Sequence, residues 1–324
     1  MTTSSKSGIA RLAQSMVFCG LLGFTLSPLA AQGFGDNPAP DLILPDISGY
    51  AQPTPQGPLA SASEGQVTLS AQLTDDGPSI SRGLVWRIFS PDADAEGKLP
   101  LVASAQGGTG VFMLPPGRYL IHASFGRAGA TKRISVGSEA KSESVVLDAG
   151  GLKLDAVLSG GVRIPPAQLR FSIYEAEPDT SGERALIIPD VQPNAVVRLN
   201  SGTYHVVSTY GSVNAIIRSD IHVEAGKLTE ATVEHKAAEV TLKLVREAGG
   251  EAIADTSWVV LTESGDQVHE SVGAFASMVL AEGDYAIVAK NRERIYQREF
   301  TLEAGRNRDV EVLITETEVE GEVD

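Results

Sequence analysis

The pattern Leu-x-x-Gly-x-Tyr occurs three times in this chain: Leu114 to Tyr119, Leu199 to Tyr204 and Leu280 to Tyr285. The glycines Gly117, Gly202 and Gly283 are 85 and then 81 residues apart. Self-similarity at such a period implies three copies of one small domain rather than one large fold. Gly tolerates positive φ and permits a tight turn, and the Tyr then opens a strand. Beyond each Tyr the apolar residues alternate, so that Tyr119, Ile121 and Ala123 share one face, as do Tyr204 with Val206 and Tyr285 with Ile287.

This motif resembles the corner of immunoglobulin-type sandwiches, where a Tyr hydrogen-bonds the backbone just upstream. Where an antibody domain carries its second Cys, this chain has Ile121, Val206 and Ile287, which implies aliphatic packing in place of a disulfide. Gly117, Tyr119, Gly202, Tyr204, Gly283 and Tyr285 are therefore expected to be structural, with no ligand role.

Other landmarks recur in step. Each copy opens on an alternating strand: Val67 to Leu73, Leu152 to Leu158, and Val240 to Leu244. About twenty residues on comes a strand with a core aromatic, Trp86, Phe171 or Trp258. Two further strands end each copy, separated by turns with Gly137, Gly226 and Gly305, which predicts hairpins. No helical periodicity appears beyond the N-terminus. The expectation is an all-β chain of three tandem antiparallel β-sandwich domains, Ig-like or prealbumin-like, in a row. Their boundaries fall at 65–149, 150–237 and 238–315, and the short links between them predict a semi-rigid row.

The run Phe112 to Tyr119, then Ile134-Ser135-Val136, then Val145-Val146-Leu147 resembles bacterial carboxypeptidase-regulatory-like and collagen-adhesin B-type sandwiches of prealbumin-like fold. The resemblance spans residues 65 to 314 in three copies and implies a non-catalytic accessory role. Adhesin relatives often carry a Lys-to-Asn isopeptide crosslink between first and last strands. Here the first strand of copy 1 has Ser70 and Gln72 but no Lys, and Val145 to Asp148 contains no Asn. The crosslink is not expected.

Residues 1–31 have the features of a secretory signal peptide: Lys6 and Arg11, an apolar run from Met16 to Leu29, then Leu29-Ala30-Ala31 before Gln32. The run is shorter than the ~20 residues of a membrane span. Cleavage would remove the only Cys, Cys19, and two positive charges with no negative ones, taking the formal net charge from -15 to -17. Nucleic acid does not suit so acidic a surface. The expected location is the periplasm or the exterior, with no membrane contact after cleavage. Residues 32–64, with six prolines, are a linker around one apolar island, Asp41 to Ile47, which is a strand that docks on the first domain, a sticky patch in a tether, or a short motif that adds to a partner's sheet edge. Residues 316–324, with five acids, are expected to be a solvating tail.

Chemistry-bearing constellations are scarce. His122, His205, His222, His235 and His269 form no ligand-spaced cluster and are expected to be solvated. There is no Gly-x-Ser-x-Gly elbow, His-Glu-x-x-His or phosphate loop. No enzyme activity, cofactor or strong metal site is expected. Asp92, Asp94 and Glu96, followed by Gly97, resemble the start of a calcium loop, but Ala103 stands where the bidentate Glu belongs. They are at most weak calcium candidates. The expected function is an exported structural or protein-interaction protein of the bacterial cell envelope that binds another envelope protein. The alternative is a polysaccharide- or calcium-binding module that would use Tyr50, Tyr210 and Tyr296 for stacking.

Overall fold

The computed structural model describes residues 64–315. The signal-peptide, linker and tail expectations, with Cys19, Tyr50 and the Asp41 to Ile47 island, lie outside those residues. Within them the chain is all-β, with one short 3-10 turn at Pro166–Gln168.

The first set of strands is β1 (Gly65–Gln72), β2 (Leu84–Phe89), β3 (Leu101–Gly107), β4 (Gly110–Leu114), β5 (Gly117–Phe125), β6 (Ala128–Val136) and β7 (Lys141–Val146). The second is β8 (Ala149–Leu158), β9 (Val162–Arg163), β10 (Leu169–Glu175), β11 (Leu186–Val191), β12 (Val196–Asn200), β13 (Gly202–Tyr210), β14 (Ile216–Val223) and β15 (Leu228–His235). The third is β16 (Ala237–Val245), β17 (Thr256–Thr262), β18 (Gln267–Val272), β19 (Phe275–Ala281), β20 (Gly283–Asn291), β21 (Arg294–Leu302) and β22 (Arg308–Leu313).

Each set builds two sheets. In the first, β4-β1-β7 faces β3-β2-β5-β6. The orders β12-β8-β15 with β11-β10-β13-β14, and β19-β16-β22 with β18-β17-β20-β21, repeat that plan. β9 is an addition paired to β8. Alternation produces the buried layer between the sheets: Val67, Leu69 and Ala71 of β1 point inward to meet Trp86 and Ile88 of β2. The other two cores form around Phe171 and Trp258.

The all-β architecture of tandem sandwiches is as expected, and the pairing differs from expectation in two details. First and last strands of each set are parallel, β1 with β7, β8 with β15 and β16 with β22, so the sandwiches are not antiparallel throughout. The turns at Gly137, Gly226 and Gly305 do not close hairpins either. β6 lies in the four-stranded sheet and β7 in the three-stranded one, so this turn crosses between layers. Turn residues specify a reversal of direction, but which sheet receives the returning strand depends on the partners available to it.

The links between sets are short. Leu147 and Asp148 separate β7 from β8, and Lys236 alone separates β15 from β16. Asp148 adopts φ 48, a left-handed conformation that Asp tolerates better than most residues. Its carbonyl accepts from Ser201 N at 2.7 Å and its carboxylate accepts from Ser201 Oγ at 2.6 Å.

Candidate functional site

The three tyrosines close the same ring. Tyr119 donates to Pro115 O at 2.8 Å, Tyr204 to Asn200 O at 2.9 Å and Tyr285 to Ala281 O at 2.9 Å. Burial raises the pKa of each above the usual phenol value, so the hydroxyl stays a neutral donor. Gly202 and Gly283 have φ 150 and 152. Gly117 is not among the glycines of positive φ, which corrects the expectation for the first copy. Pro116 precedes it there, whereas Ser201 and Glu282 precede the others.

Trp86, Phe171 and Trp258 are fully buried. Each indole must find an acceptor once removed from water: Trp86 Nε1 donates to Gly108 O at 2.8 Å and Trp258 Nε1 to Gly273 O at 2.9 Å. Phe171 has no such need. Tyr210 and Tyr296 are also buried, so neither is the free stacking platform that the sequence suggested. Each stands on an inward strand position near a strand end, where the burial of a corner residue depends on what packs over that end.

His235, expected to be solvated, is 1% exposed. It ends β15 at the link, with Nε2 at 2.8 Å from Ser208 Oγ and the Tyr210 ring edge-on at 6.0 Å. Burial lowers its pKa below the ordinary 6.5. His122 is half-buried, its Nδ1 at 3.1 Å from Thr131 Oγ1 and its Nε2 enclosed without a partner. Burial and then the Arg87 charge lower its pKa. His205 Nδ1 lies 2.7 Å from Asp220 Oδ1, and His222 Nδ1 3.3 Å from Thr203 Oγ1.

Of the calcium candidates, Asp94 turns its carboxylate on its own loop. Oδ1 accepts from Glu96 N at 3.1 Å and Lys98 N at 2.8 Å. Asp179 does the same for Ser181 N and Glu183 N in the matching loop of the second set, and the Ser181 hydroxyl, donating to the same oxygen at 2.6 Å, together with these backbone bonds holds its pKa below the usual carboxylate value. Among the described residues no group of three or more His, Cys, Asp or Glu side chains is placed to hold a metal ion. No helix among them is long and apolar enough to cross a membrane.

The apolar residues left outside the cores form a pattern instead. Among the described residues Val102, Val111, Met113, Val162, Leu186, Val196, Leu228, Val272 and Phe275 are the exposed large hydrophobics. Each lies on β3, β4, β9, β11, β12, β15, β18 or β19, strands that stand at the ends of their sheets or, for β9, pair with one neighbour only. Val272 and Phe275, at 73% and 59% exposed, flank the short turn from β18 to β19. Val111 and Met113, at 59% and 55%, alternate with the buried Phe112 and Leu114 along β4. Sequence reasoning missed this set, because alternation shows which residues share a face but not which strand ends a sheet.

A family model described as the Rhizobiales growth-associated tandem repeat domain matches residues 239–314. No curated protein matches. Similar solved structures include the minor pilin GBS52 of Streptococcus agalactiae, at 16% identity and TM-score 0.30, covering 53% of this chain and 95% of that one. A streptococcal ancillary pilin has 12% identity and TM-score 0.31, covering 77% and 98%. The TIE protein of Bacillus anthracis has 17% identity and TM-score 0.24, covering 78% of this chain. The match spans 50% of that protein's length.

Proposed function

We propose that this chain is an exported, non-catalytic structural protein of the bacterial cell envelope, built as three carboxypeptidase-regulatory-like or adhesin-type sandwiches in a row, and that it binds another envelope protein along its sheet edges. The observation that carries this reading is the confinement of exposed large apolar side chains to edge strands. An edge offers unpaired backbone donors and acceptors, and apolar side chains beside them give an added strand both affinity and register. A glycan site would need exposed aromatic faces. Trp86, Trp258, Tyr210 and Tyr296 are buried, and among the described residues Phe275 is the one aromatic of the exposed large hydrophobics. The growth-associated description of the family matched by residues 239–314 makes growth of a deletion strain the natural phenotype to score.

Photo-crosslinking amino acids at Val111, Met113 or Phe275 are expected to trap one protein species in cells, while the same probe at Thr203, exposed on the internal strand β13, traps none. Retention on cell-wall polysaccharide with no protein trapped at any edge position would overturn this reading in favour of a glycan-binding module.

A further inference from the structure

We infer that a second copy of this chain docks on the first, the four-stranded sheet of the first sandwich of one copy against that of the third sandwich of the other. The inference is independent of the edge-strand partner, since it concerns sheet faces.

In a chain of net charge -15, strands β2, β3, β5 and β6 contain no Asp or Glu. Their outward positions include Arg87, Arg118 and Arg133. Arg118 and Arg133 are exposed. Arg118 precedes Tyr119, and Arg133 precedes Ile134, the residue paired with Tyr119 across the hairpin. In the third sandwich the same two positions, before Tyr285 and before its partner Phe300, hold Asp284 and Glu299. Both are exposed, and with Glu263 they line one open depression. The sign is thus reversed at register-matched points of the same face. In the second sandwich the pair is Thr203 and Asp220, and Asp220 is engaged by His205, so the reversal belongs to the outer two.

Between these charges both faces carry apolar side chains that solvent still reaches: Val85 and Leu120 on one, Val259, Leu261 and Val288 on the other. An apolar centre with a charged rim of opposite sign is the anatomy of a protein interface. Sheets of this kind stack about 10 Å apart face to face. The Arg118 and Arg133 pair repels its own counterpart, as the Asp284 and Glu299 pair does, so at these positions charge favours the first-to-third pairing over first-to-first or third-to-third, with Lys290 the one base among the outward positions of β20. Pairing of unlike patches yields either a row of copies or a two-fold pair in which both contacts are made.

Sedimentation velocity of the purified protein tests this. The wild type is expected to self-associate with concentration at low salt, and to lose that association near about 1 M salt, where the Debye length falls to about 3 Å. R118E/R133E and D284R/E299R are each expected to remain monomeric alone and to associate when mixed, because the mixture restores opposite signs. That rescue also separates a lost contact from a misfolded variant. A wild type that stays monomeric at every concentration, association unchanged in both variants, or a mixture that stays monomeric would each overturn the inference. An acidic partner other than this chain would produce the first of those results.

Discussion

At the scale of single residues, His235 is where this fold departs most from a solvated β-surface. Its imidazole is enclosed with Ser208 and Tyr210, and that enclosure disfavours the charged form. The folded-state pKa lies below the unfolded 6.5, so between those two values the unfolded chain binds more protons. Stability is then whole above pH 6.5 and falls as pH drops through the folded value. His122, lowered for the same reason with Arg87 adding to it, contributes in the same direction. Urea midpoints followed from pH 7.5 down to 5 are expected to fall for the wild type and to fall less for His235→Gln. Equal slopes for the two proteins would mean that His235 is not the titrating group.

At the scale of elements, β4 shows how one strand serves two surfaces. Phe112 and Leu114 face the first core while Val111 and Met113 face solvent. Met113→Lys is expected to change the unfolding free energy by no more than about 0.5 kcal/mol, the ordinary range for a surface position, whereas Phe112→Ala costs about 3 to 5 kcal/mol by cavity formation. Chemical denaturation of the two variants checks the contrast, and a large loss in Met113→Lys would mean that Met113 packs against something in the free protein. The pattern of one strand therefore predicts which residues can change without unfolding the chain: those on its outer face.

At the scale of the whole molecule, the sandwiches are joined by side-chain amides as well as by the chain. Asn200 Nδ2 donates to Leu147 O at 2.7 Å and Gly129 O at 3.1 Å, and its Oδ1 accepts from Gly129 N at 3.1 Å. At the next junction Asn214 Oδ1 accepts from Ala281 N at 3.0 Å and its Nδ2 donates to Tyr285 Oη at 2.9 Å. Turn glycines sit against the next sandwich as well: a Cβ at Gly126 would meet Arg198 at 3.0 Å, and one at Gly211 would meet Val279 at 2.7 Å. Arg198 also stacks its guanidinium over Phe125 at 4.3 Å. Asn200→Ala strands a backbone donor and two acceptors, a loss of about 1 to 3 kcal/mol for partly buried groups. The expected signature is a broader urea transition, as the first two sandwiches stop unfolding together. A transition as sharp as that of the wild type would show that the amide does not couple them.

The three Leu-x-x-Gly-x-Tyr corners, the alternating strands and the aromatic of each core follow from local chemistry: Gly in the turn, a period of two along the strand, and a ring too large to leave in water. Those determine that the chain is β and that it repeats. Tertiary structure decided the rest, because it depends on which surfaces meet. The parallel pairing of first and last strands, the crossing of the Gly137, Gly226 and Gly305 turns between sheets, and the burial of Tyr210, Tyr296 and His235 all arise from neighbours distant in sequence. So does the identity of the edge strands. An apolar residue at an outward position looks the same in sequence on a central strand as on an edge, and only the order of strands in the sheet leaves Val111, Met113, Val272 and Phe275 uncovered beside unpaired backbone.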